Sequence, residues 1–226
     1  MLRGFLYFRF WEHSKLSELS YARERYVEAY TWSNSLFYEP RYAQGRIFHT
    51  KMILLVSILD DTFDAYGTPQ ELQRLIDALK RCEISAIDEL QHYTKVICKL
   101  IRLVNNYQVQ VKWSHEGYVP TFEEYKSIAT KTATYDSSIP ISFIGIGKVA
   151  AIEAFKWLGK EPKIMKALDV IGRLMNDIVS HKFEQLRHHC LSSVECYMSQ
   201  HGLSKKLTLK DFEKILEDAC KDLNEE

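Results

Sequence analysis

Three helix-start signals constrain the fold of this chain more than any other feature of the sequence. In each, a hydroxyl residue is followed three positions later by a glutamate: Thr68 and Glu71, Thr121 and Glu124, Ser192 and Glu195. This spacing is that of the capping box, in which the two side chains satisfy free backbone N–H groups at a helix N-terminus. Apolar residues also recur at helical spacing through most segments. We therefore predict an all-α protein, with helices near residues 20–37, 41–63, 69–80, 85–104, 122–134, 141–158, 162–189, 193–200 and 208–223.

The composition bounds the class of protein. A chain of 226 residues with 46% hydrophobic content is expected to form a single domain over residues 1–226. Thirty basic residues balance thirty acidic ones, so we expect no nucleic-acid partner and no anionic-membrane partner. No apolar run is long enough to predict a membrane span. The five cysteines lack zinc spacings and no secretory or transit signal is found, so we expect buried thiols in a reducing, cytoplasmic compartment.

Three carboxylates directly follow an apolar run, residues 52–56, in the second predicted helix. If that helix continues to about residue 63, Asp60 and Asp64 stand one turn apart on one face and Asp61 lies beside them. Acidic residues at a helix C-terminus oppose the helix dipole and repel one another, which costs a few tenths to about 1 kcal/mol each. A divalent cation would offset this cost, and carboxylates without Cys or His partners suit Mg²⁺ bound to a phosphate ester. The alternative is a solvated acidic turn before Gly67.

A second polar stripe lies in the predicted helix 162–189. The oxygens of Asn176, Ser180 and Glu184 recur every four residues, so they share one face over about 12 Å of helix. Arg173 precedes them on nearly the same face, and Asp177 is expected to pair with it. Alone, this stripe is more typical of a solvated helix face. Facing the first carboxylates, however, it would complete an oxygen-lined rim for more than one Mg²⁺ with a diphosphate between the ions.

A proline interrupts one apolar segment. Pro140 disfavours helical geometry at Ile139 and removes a backbone donor, so we predict a break over residues 135–140. The break would free backbone carbonyls that line a cavity within the bundle. The simpler alternative is a plain turn between two helices.

Taken together, these motifs resemble the catalytic α-domain of plant class I terpene synthases, and most closely the sesquiterpene synthases. Residues 60–68 match the aspartate-rich motif with its usual continuation, and residues 176–184 match the second metal motif. Four further stretches match in the family's order: residues 23–25, 39–42, 115–121 and 193–198. The resemblance implies an antiparallel helical bundle of the isoprenoid-synthase type, incomplete at both ends, without the N-terminal helical domain and the final helices. The segment between Gln91 and Trp113 is also expected to be shorter than in relatives.

The resemblance implies roles for individual residues. Several Mg²⁺ ions, or Mn²⁺ as an alternative, are expected at ligands drawn from both motifs: Asp60, Asp64, Asn176, Ser180 and Glu184, with Asp61 in support. The implied diphosphate-binding residues are Arg23, Arg25 and Arg173. Residues two apart on a helix point about 200° apart, so the first two arginines can act together only from a loop or a first helical turn. Trp32 and Tyr135 are implied to line the pocket for the hydrocarbon chain.

The implied reaction is Mg²⁺-dependent ionisation of an allylic prenyl diphosphate, with farnesyl diphosphate as first choice. Cyclisation to a terpene and release of diphosphate follow. The small-molecule substrate is then the partner, and no obligate protein partner is expected. One alternative is a catalytically silent helical domain of the same family. A prenyl-chain elongating synthase would need two aspartate-rich motifs, and the pattern of Asn176, Ser180 and Glu184 disfavours it.

Overall fold

The computed structural model describes residues 10, 12, 16–83, 95–133, 135–147, 152–187 and 191–225, and every regular element in these ranges is helical. The α-helices are α1 (Tyr26–Leu36), α2 (Ala43–Asp61), α3 (Pro69–Glu83), α4 (Lys95–Glu116), α5 (Phe122–Thr132), α6 (Tyr135–Ile146), α7 (Ile152–Leu158), α8 (Lys163–Arg187), α9 (Ser193–His201) and α10 (Lys205–Glu225). Two short 3₁₀ turns, Leu16–Glu18 and Pro40–Tyr42, and one π turn, Thr62–Tyr66, accompany them. The all-α prediction is confirmed. None of the described helices has the length and apolar character of a membrane span.

The predicted helix starts at residues 68, 121 and 192 are confirmed. The Thr68 N–H donates to Glu71 at 3.0 Å, the Glu124 N–H donates to Thr121 Oγ1 at 3.2 Å, and the Ser192 N–H donates to Glu195 at 2.8 Å. These contacts begin α3, α5 and α9, and each satisfies a backbone group that the first turn leaves free. At its other end α9 stops at Gly202, which adopts the left-handed conformation with φ of 63°.

Several predicted boundaries differ from the structure. The first helix begins at Tyr26 instead of residue 20, and α10 begins at Lys205 instead of residue 208. The helix predicted over 85–104 appears as α4, which continues to Glu116, whereas residues 84–94 lie outside the described residues. The single helix predicted over 141–158 is two helices, because α6 ends at Gly147, which has a left-handed φ of 72°. Of the two described free cysteines, Cys196 is buried but Cys220 is exposed, so the prediction of buried thiols is wrong for Cys220.

The predicted break at Pro140 is also wrong. The chain leaves the preceding helix at Ala133, and α6 then runs through Pro140, which lies in its second turn. Pro140 and Ile141 are buried. Because α6 packs against α2, α4 and α8, burial of its apolar side chains outweighs a missing backbone hydrogen bond, whose cost is about 3 kcal/mol.

Helix α6 lies between the two helices that carry the polar motifs. It crosses α2 where Gly45 faces Gly145, and a β-carbon on Gly45 would lie 2.6 Å from the Gly145 carbonyl oxygen. Only a glycine allows the two backbones to approach this closely. Helix α6 also contacts α8, so one helix touches both of the helices that carry the polar motifs.

Each polar motif lies next to residues of its own apolar cluster. The first cluster joins the π turn, α3 and α4 through Phe63, Leu72, Ile76, Leu103, Val104 and Tyr107. The second joins α5, α8, α9 and α10 through Phe122, Leu174, Val194 and Phe212. Phe63 is the residue before Asp64, and Leu174 follows Arg173, so the polar residues of both motifs are anchored by immediate neighbours in the core.

Candidate metal and diphosphate site

The C-terminal end of α2 carries the first three carboxylates. Asp60 and Asp61 are the last residues of that helix, and Asp64 lies in the π turn that follows. The Gly67 N–H donates to the Thr62 carbonyl at 2.7 Å, five residues back, so the helix widens where the motif sits. Such widened turns are frequent at functional sites, and Asp64 is exposed on this one.

Asp60 is held by a residue from another helix. Its Oδ1 atom accepts a hydrogen bond of 2.7 Å from the hydroxyl of Tyr107, which lies on α4. Burial raises the pKa of Asp60 above its ordinary value, whereas the Tyr107 hydrogen bond and the positive charges of Arg173 and Arg25 act to lower it. A carboxylate under such opposed influences would gain from a nearby cation, because the cation favours its charged form.

Arg23 and Arg25 lie in the loop before α1, as their joint action requires. Arg23 pairs with Asp61 through Nη2 and Oδ1 at 2.5 Å. The loop is further fastened to the motif by Tyr21, whose hydroxyl lies 2.9 Å from Thr62 Oγ1 and whose ring stacks on Tyr66 at 4.7 Å. Arg25 directly precedes α1, and its positive charge acts to lower the pKa of Asp60.

The second motif lies on α8. Asn176 is exposed, and Ser180 is partly exposed and donates to the Asn176 carbonyl at 2.8 Å. Both oxygen-bearing side chains therefore lie at the surface of this helix, one turn apart. Glu184 belongs to α8 as well, but its side chain lies outside the described residues.

Arg173 is fixed by three partners. Its guanidinium donates to the Ala129 carbonyl at 2.9 Å, to Thr132 Oγ1 at 2.9 Å and to Asp177 Oδ1 at 3.1 Å. The pairing predicted between Arg173 and Asp177 is therefore confirmed. Burial lowers the pKa of Arg173, but Asp177 and the other partners together hold it above its ordinary value. Arg173, which lies on α8, thus holds a permanent positive charge in a fixed position beside the C-terminal end of α5.

Asp177 is a structural centre and not part of the exposed stripe. It is 1% exposed, and its Oδ2 atom accepts from the Tyr125 hydroxyl and from the Ser193 N–H, each at 2.9 Å. Ser193 is the first residue of α9, so the carboxylate also stabilises the positive end of that helix. One side chain therefore joins α5, α8 and α9.

Charged residues of both motifs influence Tyr107. Burial raises the pKa of this phenol, the charges of Asp60 and Asp64 raise it further, and the charge of Arg173 lowers it. Residues of the first motif and the arginine of the second therefore act on one buried hydroxyl. The charge of Arg173 also lowers the pKa of Asp60 itself, so the arginine of α8 lies near the carboxylates at the end of α2.

The two aromatic residues implied to line the pocket differ in their surroundings. Tyr135 begins α6, and its ring lies against Gly172 of α8, where a β-carbon would overlap it. It is therefore next to Arg173. Trp32 lies on α1 with 58% of its surface exposed. Its role as a pocket wall stays a prediction.

Sequence reasoning missed Tyr107 and Tyr125. Both side chains are 3% exposed, and each hydroxyl donates to a site aspartate. A signal was present, because each tyrosine falls on an apolar helical stripe, and a buried phenol needs a hydrogen-bond partner. The sequence gives no way to choose that partner.

The donor set suits a hard divalent cation. Asp60 and Asp64 provide carboxylates, Asn176 an amide oxygen and Ser180 a hydroxyl, and oxygen ligands of this kind favour Mg²⁺. Mg²⁺ is usually bound through one or two carboxylates, and substrate phosphates and water complete its coordination. The residues present therefore fit the ion.

Comparison with known proteins identifies the family. Residues 12–102 and 99–222 match the terpene synthase family, metal binding domain. The match divides within the stretch expected to be shorter than in relatives. Probable terpene synthase 6 of Ricinus communis is 41% identical and valencene synthase of Vitis vinifera 40% identical, each over 96% of this chain and 44% of the relative.

Solved structures agree with this assignment. Isoprene synthase from grey poplar leaves (Populus x canescens), in complex with three Mg²⁺ ions and dimethylallyl-S-thiolodiphosphate, superposes with a TM-score of 0.82 at 26% identity. The superposition covers 96% of this chain and 47% of that protein. The chain thus spans less than half the length of these relatives. It belongs to the terpene synthase family and corresponds to the metal-binding domain of that family.

Proposed function

We propose that this chain binds Mg²⁺ and ionises an allylic prenyl diphosphate, whose cation then cyclises to a terpene as diphosphate is released. The observation that supports the proposal is the 2.7 Å hydrogen bond from Tyr107 to Asp60, at a point where the charge of Arg173 acts on both groups. Carboxylates for the metal and a guanidinium for the anion are then available at one end of the bundle. Residues 1–226 would act as one catalytic domain, in the cytoplasm.

The chain's own residues would divide the work between metal and anion. Asp60, Asp64, Asn176, Ser180 and Glu184 would hold the ions, which supply the positive charge that stabilises the departing diphosphate. Arg173 would donate hydrogen bonds to the diphosphate from its fixed position. Arg23 and Arg25 would reach the anion from the loop before α1, after Arg23 exchanges Asp61 for the diphosphate.

The hydrocarbon part of the substrate would lie against aromatic and aliphatic side chains. The faces of Tyr135 and Trp32 can stabilise a passing carbocation by about 0.5–2 kcal/mol, and they offer no nucleophile to trap it. Exclusion of water would keep the cation intact until a proton is lost. Farnesyl diphosphate is the substrate we propose first, because the sequence motifs most closely resemble those of the sesquiterpene synthases.

The direct test is incubation of the purified chain with Mg²⁺ and either farnesyl or geranyl diphosphate, followed by gas chromatography of the volatile products. We expect a terpene from farnesyl diphosphate. Binding of inorganic diphosphate should be measured in parallel by calorimetry with and without Mg²⁺. No product together with no Mg²⁺-dependent binding would overturn the proposal and favour a catalytically silent domain.

Two variants locate the binding site. Asp60→Ala and Glu184→Ala should each abolish Mg²⁺-dependent diphosphate binding while the circular dichroism spectrum stays helical. Asp211→Ala is the matched control for Asp60→Ala, because Asp211 also accepts a hydrogen bond from a tyrosine, Tyr197, at 3.3 Å, but joins α9 to α10. Equal loss of binding in Asp211→Ala would show that the effect does not come from the proposed site.

A further inference from the structure

Tyr107 lies outside both metal motifs and donates a hydrogen bond to a proposed metal ligand, Asp60. Its hydroxyl lies 2.7 Å from Asp60 Oδ1. The two residues come from different helices, α4 and α2, and are 47 positions apart. The contact is therefore a product of the tertiary fold, unlike a local contact within one helix.

The phenol ring has little freedom to move. Tyr107 is 3% exposed, and its ring stacks on that of Phe63 with centroids 5.6 Å apart and planes inclined by 20°. Leu103 and Val104 belong to the same buried cluster. Because packing fixes the ring, the hydroxyl occupies a fixed point in front of the end of α2.

A fixed donor restrains the carboxylate that accepts from it. The terminal torsion of an aspartate is broad, so an unrestrained carboxylate samples many orientations. With Oδ1 held by Tyr107, the plane of the Asp60 carboxylate is set, and Oδ2 and the second lone pair of Oδ1 stay available. Partners of this kind orient metal ligands, and their loss typically weakens metal affinity by about 10–100-fold.

We propose that Tyr107 is a positioning residue that orients Asp60 for the divalent ion. This inference rests on the proposed function, because it assigns Asp60 to the metal. Phe63 extends the arrangement: it fixes Tyr107 by stacking and lies in the π turn between Asp60 and Asp64. The geometry of Asp60 and Asp64 thus depends on one pair of stacked rings.

The test is Mn²⁺ binding in the presence of inorganic diphosphate, followed by the electron paramagnetic resonance signal of free Mn²⁺. Tyr107→Phe should weaken Mn²⁺ affinity by about 10–100-fold while the ring packing is kept. Tyr197→Phe is the matched control, because it removes a partly buried phenol hydroxyl that donates to Asp211, away from the metal motifs. It should leave the affinity within about twofold.

The outcomes separate this inference from the proposed function. Equal Mn²⁺ affinity in Tyr107→Phe and the unchanged chain would overturn the role of Tyr107 and leave the metal site standing. Absence of Mn²⁺ binding by the unchanged chain would overturn both. A second measurement covers the case in which Tyr107→Phe fails to fold. It uses a chain with 3-fluorotyrosine at position 107, which keeps the hydroxyl and adds a fluorine that NMR can detect. Its ¹⁹F resonance should shift when Mg²⁺ and diphosphate are added, and a resonance that does not move would overturn the inference.

Discussion

Arg23 and Asp61 form a bidentate ion pair, with Nη2 2.5 Å from Oδ1 and Nε 3.4 Å from Oδ2. An arginine proposed to grip the diphosphate is therefore already occupied by a carboxylate of the first motif. The Arg23 side chain is 54% exposed, so solvent screens the pair and a more highly charged anion can replace Asp61. Asp61 thus competes with the diphosphate for the same guanidinium.

This competition predicts the effect of Asp61→Asn. Without divalent ions, the variant should bind inorganic diphosphate about two- to fivefold more tightly, because an ion pair whose arginine is half exposed contributes about 0.5–1 kcal/mol. Calorimetry in the presence of a chelator measures the affinity. Glu39→Gln is the control, since it frees Arg41 from another arginine–carboxylate pair, of 2.7 Å, outside the two motifs. Weaker binding by Asp61→Asn would contradict the competition.

Replacing two neighbouring residues of the second motif should affect different properties: stability for Asp177 and diphosphate binding for Asn176. Asp177→Ala should lower the free energy of unfolding by about 3–5 kcal/mol, because it removes a buried carboxylate and leaves Arg173, only 15% exposed, without its partner. Asn176→Ala should change stability by less than about 0.5 kcal/mol, since that side chain is exposed, but should weaken Mg²⁺-dependent diphosphate binding. Urea denaturation and calorimetry measure the two effects. Similar stabilities for the two variants would contradict the structural role of Asp177.

Two helical glycines should differ in their tolerance of a methyl group. In Gly45→Ala the new β-carbon meets the Gly145 backbone, which cannot move aside, so we expect a loss of about 1–3 kcal/mol in the free energy of unfolding. In Gly172→Ala it meets the ring of Tyr135, which is 37% exposed and can swing away. The better helix propensity of alanine, about 1 kcal/mol, offsets much of that cost. Urea denaturation that ranks Gly172→Ala as the more damaging change would contradict this helix crossing.

Acid should destabilise the contact between α1 and α2 through His49. Burial lowers the pKa of His49, and the side chains around it, Ser33, Thr50 and Phe37, do not titrate. Below pH of about 6.5 the unfolded chain therefore binds a proton that the folded chain resists, and stability falls as pH falls, by at most about 1.4 kcal/mol per pH unit. Above that pH the effect is absent.

The measurement is the free energy of unfolding from pH 7.5 to pH 5.5, compared between the unchanged chain and His49→Gln. The variant should lose this part of the pH dependence, so the stability difference between the two proteins should shrink as pH falls. His115→Gln is the control, because His115 is exposed. A constant difference across the range would show that His49 is protonated equally in both states.

Local sequence signals predicted the features that depend on neighbours in the chain. The starts of α3, α5 and α9 depend on pairs three residues apart, and the pairing of Arg173 with Asp177 depends on residues four apart. Such contacts repeat with the period of the helix, so one sequence suffices to predict them. The stripe of Asn176 and Ser180 on α8 follows from the same period.

Features that depend on distant residues could not be predicted in this way. The partners of Tyr107 and Tyr125 lie 47 and 52 positions away, and helical periodicity does not say which helix faces which. The continuity of α6 through Pro140 is a similar case. Its local signal favours a break, but the packing of α6 between α2 and α8 decides the outcome.

The balance of charge in this site bears on whether an anionic substrate would bind alone or together with divalent ions. Four aspartates, Asp60, Asp61, Asp64 and Asp177, share the region with three arginines, Arg23, Arg25 and Arg173, and Glu184 adds a further acidic residue. Two of the arginines are already matched by Asp61 and Asp177. A bare polyphosphate would therefore approach a region with an excess of its own charge and bind weakly. We expect tight binding only of an anion that arrives with divalent ions, so the concentration of free cations would set how much of the anion is bound.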